Sequence, residues 1–397
     1  MQVVKRAIGL AGVLVLVLNA VVFAQDDNAA ANQLVVTNVT EIELDGSISA
    51  RMGAYLAPDG SQYALTAMPD EICFFSLPDN VQTVCGTMPE DSFPDPGTIT
   101  WSPDSRYVAL IDNTVLRSAD DSDILLIDSQ DGTVTNLTDD GYTGSILSDL
   151  VSAMIDLEPR WVDDTTIAFL RYRREVYEEA LPAELYTVSV DGGDPGLVRV
   201  LTLSKGTLDV YVMDWLAGTQ SYAVSLNQMQ TPIFGIMYAR DGAFPVPVNM
   251  VNTRGSRQEG IWAVSISSDG QYVFSVDRAA LERNLAETEG IERSPVQVTN
   301  TTTLKTELIT SDHPVSEAGW SPQGNGLLYI VRYGEETELN GLYLTPAIGE
   351  PGTQLLPGRY QTPVVNAIRP IMWASNNTTL LYDSNNEQLL LIELGTE

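Results

Sequence analysis

The segment WSPDSRYVALID, Trp101 to Asp112, has variants of itself on both sides, and this recurrence limits the fold more than any other feature of the chain. "LAPDGSQYAL" begins at Leu56, "ISSDGQYVFS" at Ile266 and "WSPQGNGLLYI" at Trp320. Aligned on the Trp101 position, the units fall at Leu56, Trp101, Trp161, Trp215, Ile266, Trp320 and Trp373, with steps of 45, 60, 54, 51, 54 and 53 residues. A period of this size marks a supersecondary unit that buries its apolar faces only against its neighbours. How the units stack therefore sets the whole fold.

Each unit has one internal order. A short strand ends at the anchor, a tight turn follows, and an apolar β-rich run such as YVALID or TIAFLRY leaves it. Two more runs then pair across a second turn, as in DILLID-SQDG-TVTNLT and IFGIMYA-RDG-AFPVPVNM, where Asp-Gly between β-rich segments is a strong hairpin signal. Four antiparallel strands repeated radially at this period form the blades of an all-β propeller. Seven anchors predict seven blades; a six-bladed ring, with the divergent Trp215 unit absorbed as an insertion, is the alternative. The last unit supplies three strands before Glu397, and a propeller must close its ring or expose an edge. The β-rich QLVVTNVTEIEL, Gln33 to Leu44, is expected to pair with QLLLIEL as the missing outer strand, its other placement being a strand beside the first blade. The recurring tryptophans are expected to pack between blades and not to form a binding platform.

The turn residues carry a resemblance. WSPDSRYVALID and WSPQGNGLLYIVR are similar to the WD-repeat-like units of the TolB family of periplasmic propellers, with looser matches at Leu56 and Ile266 and partial ones at Trp161, Trp215 and Trp373. The resemblance spans nearly all of the chain after its first segment and implies a propeller. TolB itself places an α/β domain ahead of its propeller, which this sequence lacks room for, so the resemblance implies the fold and none of TolB's partners.

Met1 to Ala24 reads as a signal peptide: Lys5 and Arg6 precede an apolar run from Ala7 to Phe23, and Val22-Phe23-Ala24 offers a cleavage site. Residues 25–32 read as a linker and 33–397 as one propeller domain. A secreted or periplasmic protein is expected, with no membrane insertion after cleavage. The alternative is a membrane anchor kept as an uncleaved N-terminal segment. Without Lys5 and Arg6, 53 acidic residues face 19 basic ones, a net charge of −34. That field repels phosphate backbones and argues against nucleic acid as a partner. Cys73 and Cys85 lie at equal distance from Asp79 in a predicted hairpin, which sets them opposite each other as a disulfide staple in an oxidising compartment.

Alternating strand direction puts the first-to-second and third-to-fourth turns on one face of the disc, all of them short. The other face receives the long excursions 113–122, 139–159, 172–183, 252–260 and 278–295, and loops that lengthen on one face mark it for binding. Two of them, Ser145 to Leu157 and RAALERNLAETE from Arg278, have helical character. Arg171, Arg173, Arg174, Arg254, Arg257, Arg278 and Arg332 are expected on that face, as is Arg160, among acidic residues that include Asp112, Asp123 and Asp277. Arginine suits bidentate recognition of carboxylates or sugar acids, and surface ion pairing is the plainer role.

Catalytic signals are thin. His313 is the one histidine, there is no Gly-x-Ser-x-Gly elbow, and no metal-ligand spacing occurs among Cys, His, Asp and Glu. The sequence therefore predicts a monomeric binding or scaffolding module for an extracytoplasmic protein or polysaccharide, with no catalytic residues, no metal site and no cofactor. The alternative is a metal-assisted propeller lyase or hydrolase using channel-lining carboxylates and an ion such as calcium. Asp112 and Asp277, with Arg171 or Arg332, are its first residues to test.

Overall fold

A computed structural model of the chain describes residues 34–396, except 45–52, 115–121, 142–153, 174–183, 202–207, 210–211, 229–232, 253–260, 278–295, 310–314, 333–337, 365–369 and single positions 69, 91, 308 and 325. The described residues form seven antiparallel sheets, and the six-bladed alternative is set aside. In the first blade the strands run Ala54–Leu56, Gln62–Met68, Glu71–Ser76 and Val81–Thr87, from the axis outward. The second blade holds Thr100–Trp101, Tyr107–Thr114, Ile124–Asp128 and Val134–Asn136, with Ser92–Pro94 extending the pairing of its second strand. The third holds Met154–Trp161, Thr166–Arg173, Glu184–Ser189 and Gly196–Val200.

The repeated turn has a local cause. Ser102 Oγ accepts hydrogen bonds from the backbone N–H groups of Arg106 at 3.1 Å and Tyr107 at 2.8 Å, and donates to Asp104 Oδ1 at 2.6 Å. Ser267 repeats the arrangement, donating to Asp269 at 2.6 Å and accepting from Tyr272 N at 2.9 Å. One left-handed residue closes each such turn: Gly60 at φ 72°, Ser105 at 62°, Gly270 at 69° and Asn377 at 63°. The Ser-x-Asp signature thus satisfies the turn's own donors while glycine or a short polar residue takes the positive φ.

The anchors work between blades, as expected. The indole Nε1 of Trp101 donates to the carbonyl of Tyr55 at 2.8 Å, Trp161 to Thr100 at 3.1 Å and Trp320 to Ser265 at 3.1 Å. Each acceptor stands one residue before the preceding blade's anchor. Trp215 departs from the pattern by bonding Thr219 O in its own turn, and the buried Trp373 Nε1 has no partner. The apolar core is divided accordingly into seven clusters, each filled from two adjacent blades. A linear stack of seven sheets has six seams. The seventh, in which Ile42, Leu380 and Leu389 of the last blade meet Leu56 and Tyr63 of the first, makes the stack a ring.

Ring closure follows the expected route. Leu34–Ile42 pairs antiparallel with Gln388–Thr396 as the outermost strand of the seventh blade, in register from Leu34 opposite Thr396 to Ile42 opposite Leu389. A bulge between Val36 and Asn38 shifts the register once. Cys73 and Cys85 are directly opposite on the third and fourth strands of the first blade and are bonded, with a Cα separation of 4.0 Å. One secondary-structure expectation fails. Met154 to Leu157, read as the end of a helix, begins the first strand of the third blade, because its apolar spacing serves the strand that leads to Trp161. The rest of that segment and RAALERNLAETE lie outside the described residues, as do the proposed signal peptide and linker.

Candidate functional site

The seam between the second and third blades gathers ionisable side chains at the long-loop end of the strands. Asp112 comes from the second strand of the second blade, and Asp123 stands at the start of the third. Asp156 lies on the first strand of the third blade and Arg171 opposite it on the second. Ser122 stitches the blades together: its backbone carbonyl accepts from Asp156 N at 3.0 Å, and its hydroxyl donates to Asp156 O at 2.7 Å. Asp156 is fully buried, Asp123 is 4% exposed and Arg171 7%, so these charges share a desolvated space.

Their partners are defined. The Arg171 guanidinium grips Asp156 through Nε to Oδ1 and Nη2 to Oδ2, each at 2.6 Å, and lies over the rings of Phe169 and Tyr186 at 5.3 and 5.2 Å. Asp112 accepts from Asp123 N at 2.7 Å and from Ser92 Oγ at 3.2 Å. Asp123 accepts from Asn136 Nδ2 at 2.7 Å and from Thr138 Oγ1 at 3.4 Å. Burial raises all three carboxyls, with the Arg171 fork opposing it at Asp156. Asp123 is pushed to about 7 by burial and, after the opposing Asn136 hydrogen bond, by the charges of Asp112, Asp156 and Asp140. Three carboxyls and one guanidinium share this seam: Arg171 pairs with Asp156, while Asp112 and Asp123 are held by hydrogen bonds.

The sixth-to-seventh seam is a second polar junction. Glu317, 7% exposed, accepts from Thr362 N at 2.5 Å, and Arg332 Nη1 donates to Gln361 Oε1 at 3.3 Å. The structure therefore brings Asp112 and Arg171 to one seam and puts Arg332 at another. Arg173 and Asp277 end second strands, and their side chains are not described. Arg174, Arg254, Arg257 and Arg278 lie outside the described residues, as does His313. Sequence reading passed over Asp156 and Glu317; the usable signal was an acidic residue inside the apolar strand leading to a tryptophan anchor.

On the axis, at the anchor end of the first strands, lies a cavity of about 290 Å³. Residues one position before an anchor line it repeatedly: Tyr55, Thr100, Arg160, Asp214 and Met372. Trp101 and Trp373 add aromatic surface, and Ile99, Val264 and Ile371 aliphatic surface. Arg160 is thus corrected from the long-loop face to the axis, because its place beside Trp161 carries it to the opposite end of the strand. Its Nη2 lies 2.6 Å from Glu158 Oε2, and Nη1 donates to Pro159 O at 2.6 Å. Asp214 accepts from Ile266 N of the next blade at 2.7 Å and from Trp215 N at 3.0 Å. Burial raises the Asp214 carboxyl, against the pull of the Arg160 charge.

Among the described residues, one group brings three metal-type ligand atoms close together, Glu71 with Cys73 and Cys85. Both sulfurs are spent in the disulfide, so it does not suit a metal.

No protein-family model matches the chain, and no curated protein matches it in sequence. Among solved structures it is similar to an oligogalacturonate lyase in complex with manganese, with 12% identity and a TM-score of 0.53, covering 90% of this chain and 93% of that one. It is likewise similar to an oligogalacturonate lyase from Vibrio parahaemolyticus, at 11% identity and a TM-score of 0.55, covering 91% and 96%. A chain of a mitotic checkpoint complex is similar at 11% identity and a TM-score of 0.51, covering 90% and 94%. At such identities the likeness is one of fold, and the fold is the seven-bladed propeller built above.

Proposed function

We propose that the protein is an exported, TolB-like propeller that acts as a monomeric binding or scaffolding module, engaging an extracytoplasmic protein or polysaccharide through its long-loop face. The observation that carries this reading is the contrast between the two ends of the strands. At the short-turn end the connections are tight and bonded within themselves, as Ser102 and Ser267 show within their turns. At the other end the connections are long, and they leave from strands whose charged residues Asp112, Arg171 and Arg332 are fixed by their own partners within the blade seams. A rigid ring that carries its long connections on one face suits recognition of a partner there.

The test pairs a glycan array with affinity capture from the exported fraction, using the intact protein and R173E/R174E, which spares the buried Arg171. Retention of a defined glycan or protein by the intact protein and its loss in the variant is expected. Equal retention by both removes that strand end from the recognition surface, and no retention on either platform overturns the binding reading.

A second reading, a metal-assisted lyase or hydrolase, is favoured by the names of two structures of like fold. Polygalacturonate incubated with the protein and manganese or calcium, followed by the absorbance of unsaturated product, tests it. Product formation that chelation abolishes supports this reading, and no product with either ion sinks it.

A further inference from the structure

The described residues expose nine large apolar side chains, and five of them lie on the rim of two adjacent blades. Leu197, Val198 and Val200 belong to Gly196–Val200, the outermost strand of the third blade. Phe244, 73% exposed, and Val246 stand where the chain enters Val246–Asn252, the outermost strand of the fourth. Arg199 joins the two groups: Nη1 donates to Ala243 O at 3.0 Å, Nη2 donates to Gly242 O at 2.8 Å, and the guanidinium lies 4.6 Å from the centre of the Phe244 ring. An aromatic ring held in place yet left uncovered, beside a row of aliphatic side chains, marks a contact surface.

Gly196–Val200 also has a free side. It pairs inward with Glu184–Ser189, and among the described residues nothing pairs with its outer edge. The other blades guard that edge. The outermost strands of the second and fifth blades have three and two residues, those of the fourth and sixth contain proline, and those of the first and seventh expose polar groups such as Gln82 and Thr83 or Thr37 and Asn38. GLVRV holds neither proline nor acid, and its one charge is turned sideways onto the fourth blade. An extended peptide adds to such an edge through its backbone while alternate side chains meet the apolar row.

The surroundings set the charge of the partner. Asp191 and Asp194, in the turn that leads into Gly196–Val200, and Asp241, beside Gly242, are exposed, and among the described residues none of them is in an ion pair. Arg199 is spent on carbonyls, and Arg240 turns away to Thr301 and Thr302 of the fifth blade. A second copy of this acidic chain would bring the same three carboxylates to the face and be repelled. A segment with lysine or arginine beside its apolar residues complements it.

We propose that this rim binds an extended segment of a partner protein as an added strand, with apolar side chains on Leu197, Val200 and Phe244 and basic flanking residues at Asp191, Asp194 and Asp241. The site lies on the circumference of the ring and does not rest on the reading given for the long-loop face.

An array of synthetic octapeptides, with Val, Ile, Leu, Phe or Tyr at alternate positions and each made with lysine flanks and with glutamate flanks, is probed with the labelled full chain. Lysine-flanked sequences should retain the chain at least about tenfold more strongly than their glutamate-flanked twins, and the margin should shrink at about 1 M salt. L197K/V200K, which puts the usual guard on the edge, should lose retention while circular dichroism reports an intact β fold. No retention on any lysine-flanked sequence, equal retention on both flank types, or undiminished retention of L197K/V200K would overturn the proposal. So would a wild-type dimer in sedimentation equilibrium that L197K/V200K dissolves, because the chain itself would then cover the rim. Should L197K/V200K not fold, F244S decides: retention should fall about fivefold or more, and unchanged retention overturns the proposal.

Discussion

Replacing Asp123 by asparagine should remove most of the pH dependence that the second-to-third seam imposes on stability. The folded carboxyl is pushed from its ordinary 3.8 to about 7, chiefly by burial. Between those values the native state holds a proton that the unfolded chain has released. The contribution is therefore fully present below about pH 4 and is lost as pH rises through about 7. A rise of this size corresponds to roughly 4 kcal/mol, an upper figure because Asp112 and Asp156 titrate in the same field. The substituted side chain does not titrate, and its carbonyl can still accept from Asn136 Nδ2, which bonds Asp123 at 2.7 Å. Urea midpoints at pH 5 and pH 8 give the comparison. The wild type should lose roughly 2–3 kcal/mol more than D123N across this interval, and D123N should be the more stable at pH 8. Equal losses in the two proteins would refute the reasoning, since every other carboxyl is common to both.

Three further perturbations separate the contributions to the ring. R171M leaves Asp156 buried without its fork and should cost about 3–5 kcal/mol in urea unfolding at pH 7, with part of the loss recovered in D156N/R171M. W161F forfeits the indole bond to Thr100 O and should cost about 1–2 kcal/mol more than W373F, whose indole nitrogen has no partner to lose. Urea midpoints of these two variants test the inter-blade role of the anchors directly. C73A/C85A opens a loop of sequence separation 12 and should lower stability by about 3 kcal/mol on the chain-entropy estimate, read from the same unfolding curves.

The ring was legible in the sequence because its cause is local and repeated. The Ser-x-Asp turn satisfies its own donors, and Trp101, Trp161 and Trp320 each bond the residue one before the previous anchor, so both signals recur at the blade period. The Cys73–Cys85 pairing followed from hairpin symmetry for the same reason. The polar seams were less legible, since each depends on two blades meeting at a particular height. Asp156 sits in MIDLEPRW, whose Met, Ile and Leu also fit a helical stripe; only pairing with Thr166–Arg173 turns the carboxylate toward Arg171. Arg160 directly follows the long excursion 139–159 in the sequence, whereas its register beside Trp161 decides that it lines the axial cavity. Register between distant strands is a tertiary property, and a pattern along one strand does not carry it.

Backbone hydrogen exchange, resolved over Leu34–Ile42 and Gln388–Thr396, tests whether the first strand closes the circle. The alternate amides of Leu34–Ile42 that face Gln388–Thr396 should be protected together with those of Gln388–Thr396, and the outward-facing amides of this edge strand should exchange faster. Exchange of Leu34–Ile42 at the rate of an unstructured peptide, while the remainder of the blade stays protected, would contradict a closed ring of seven blades.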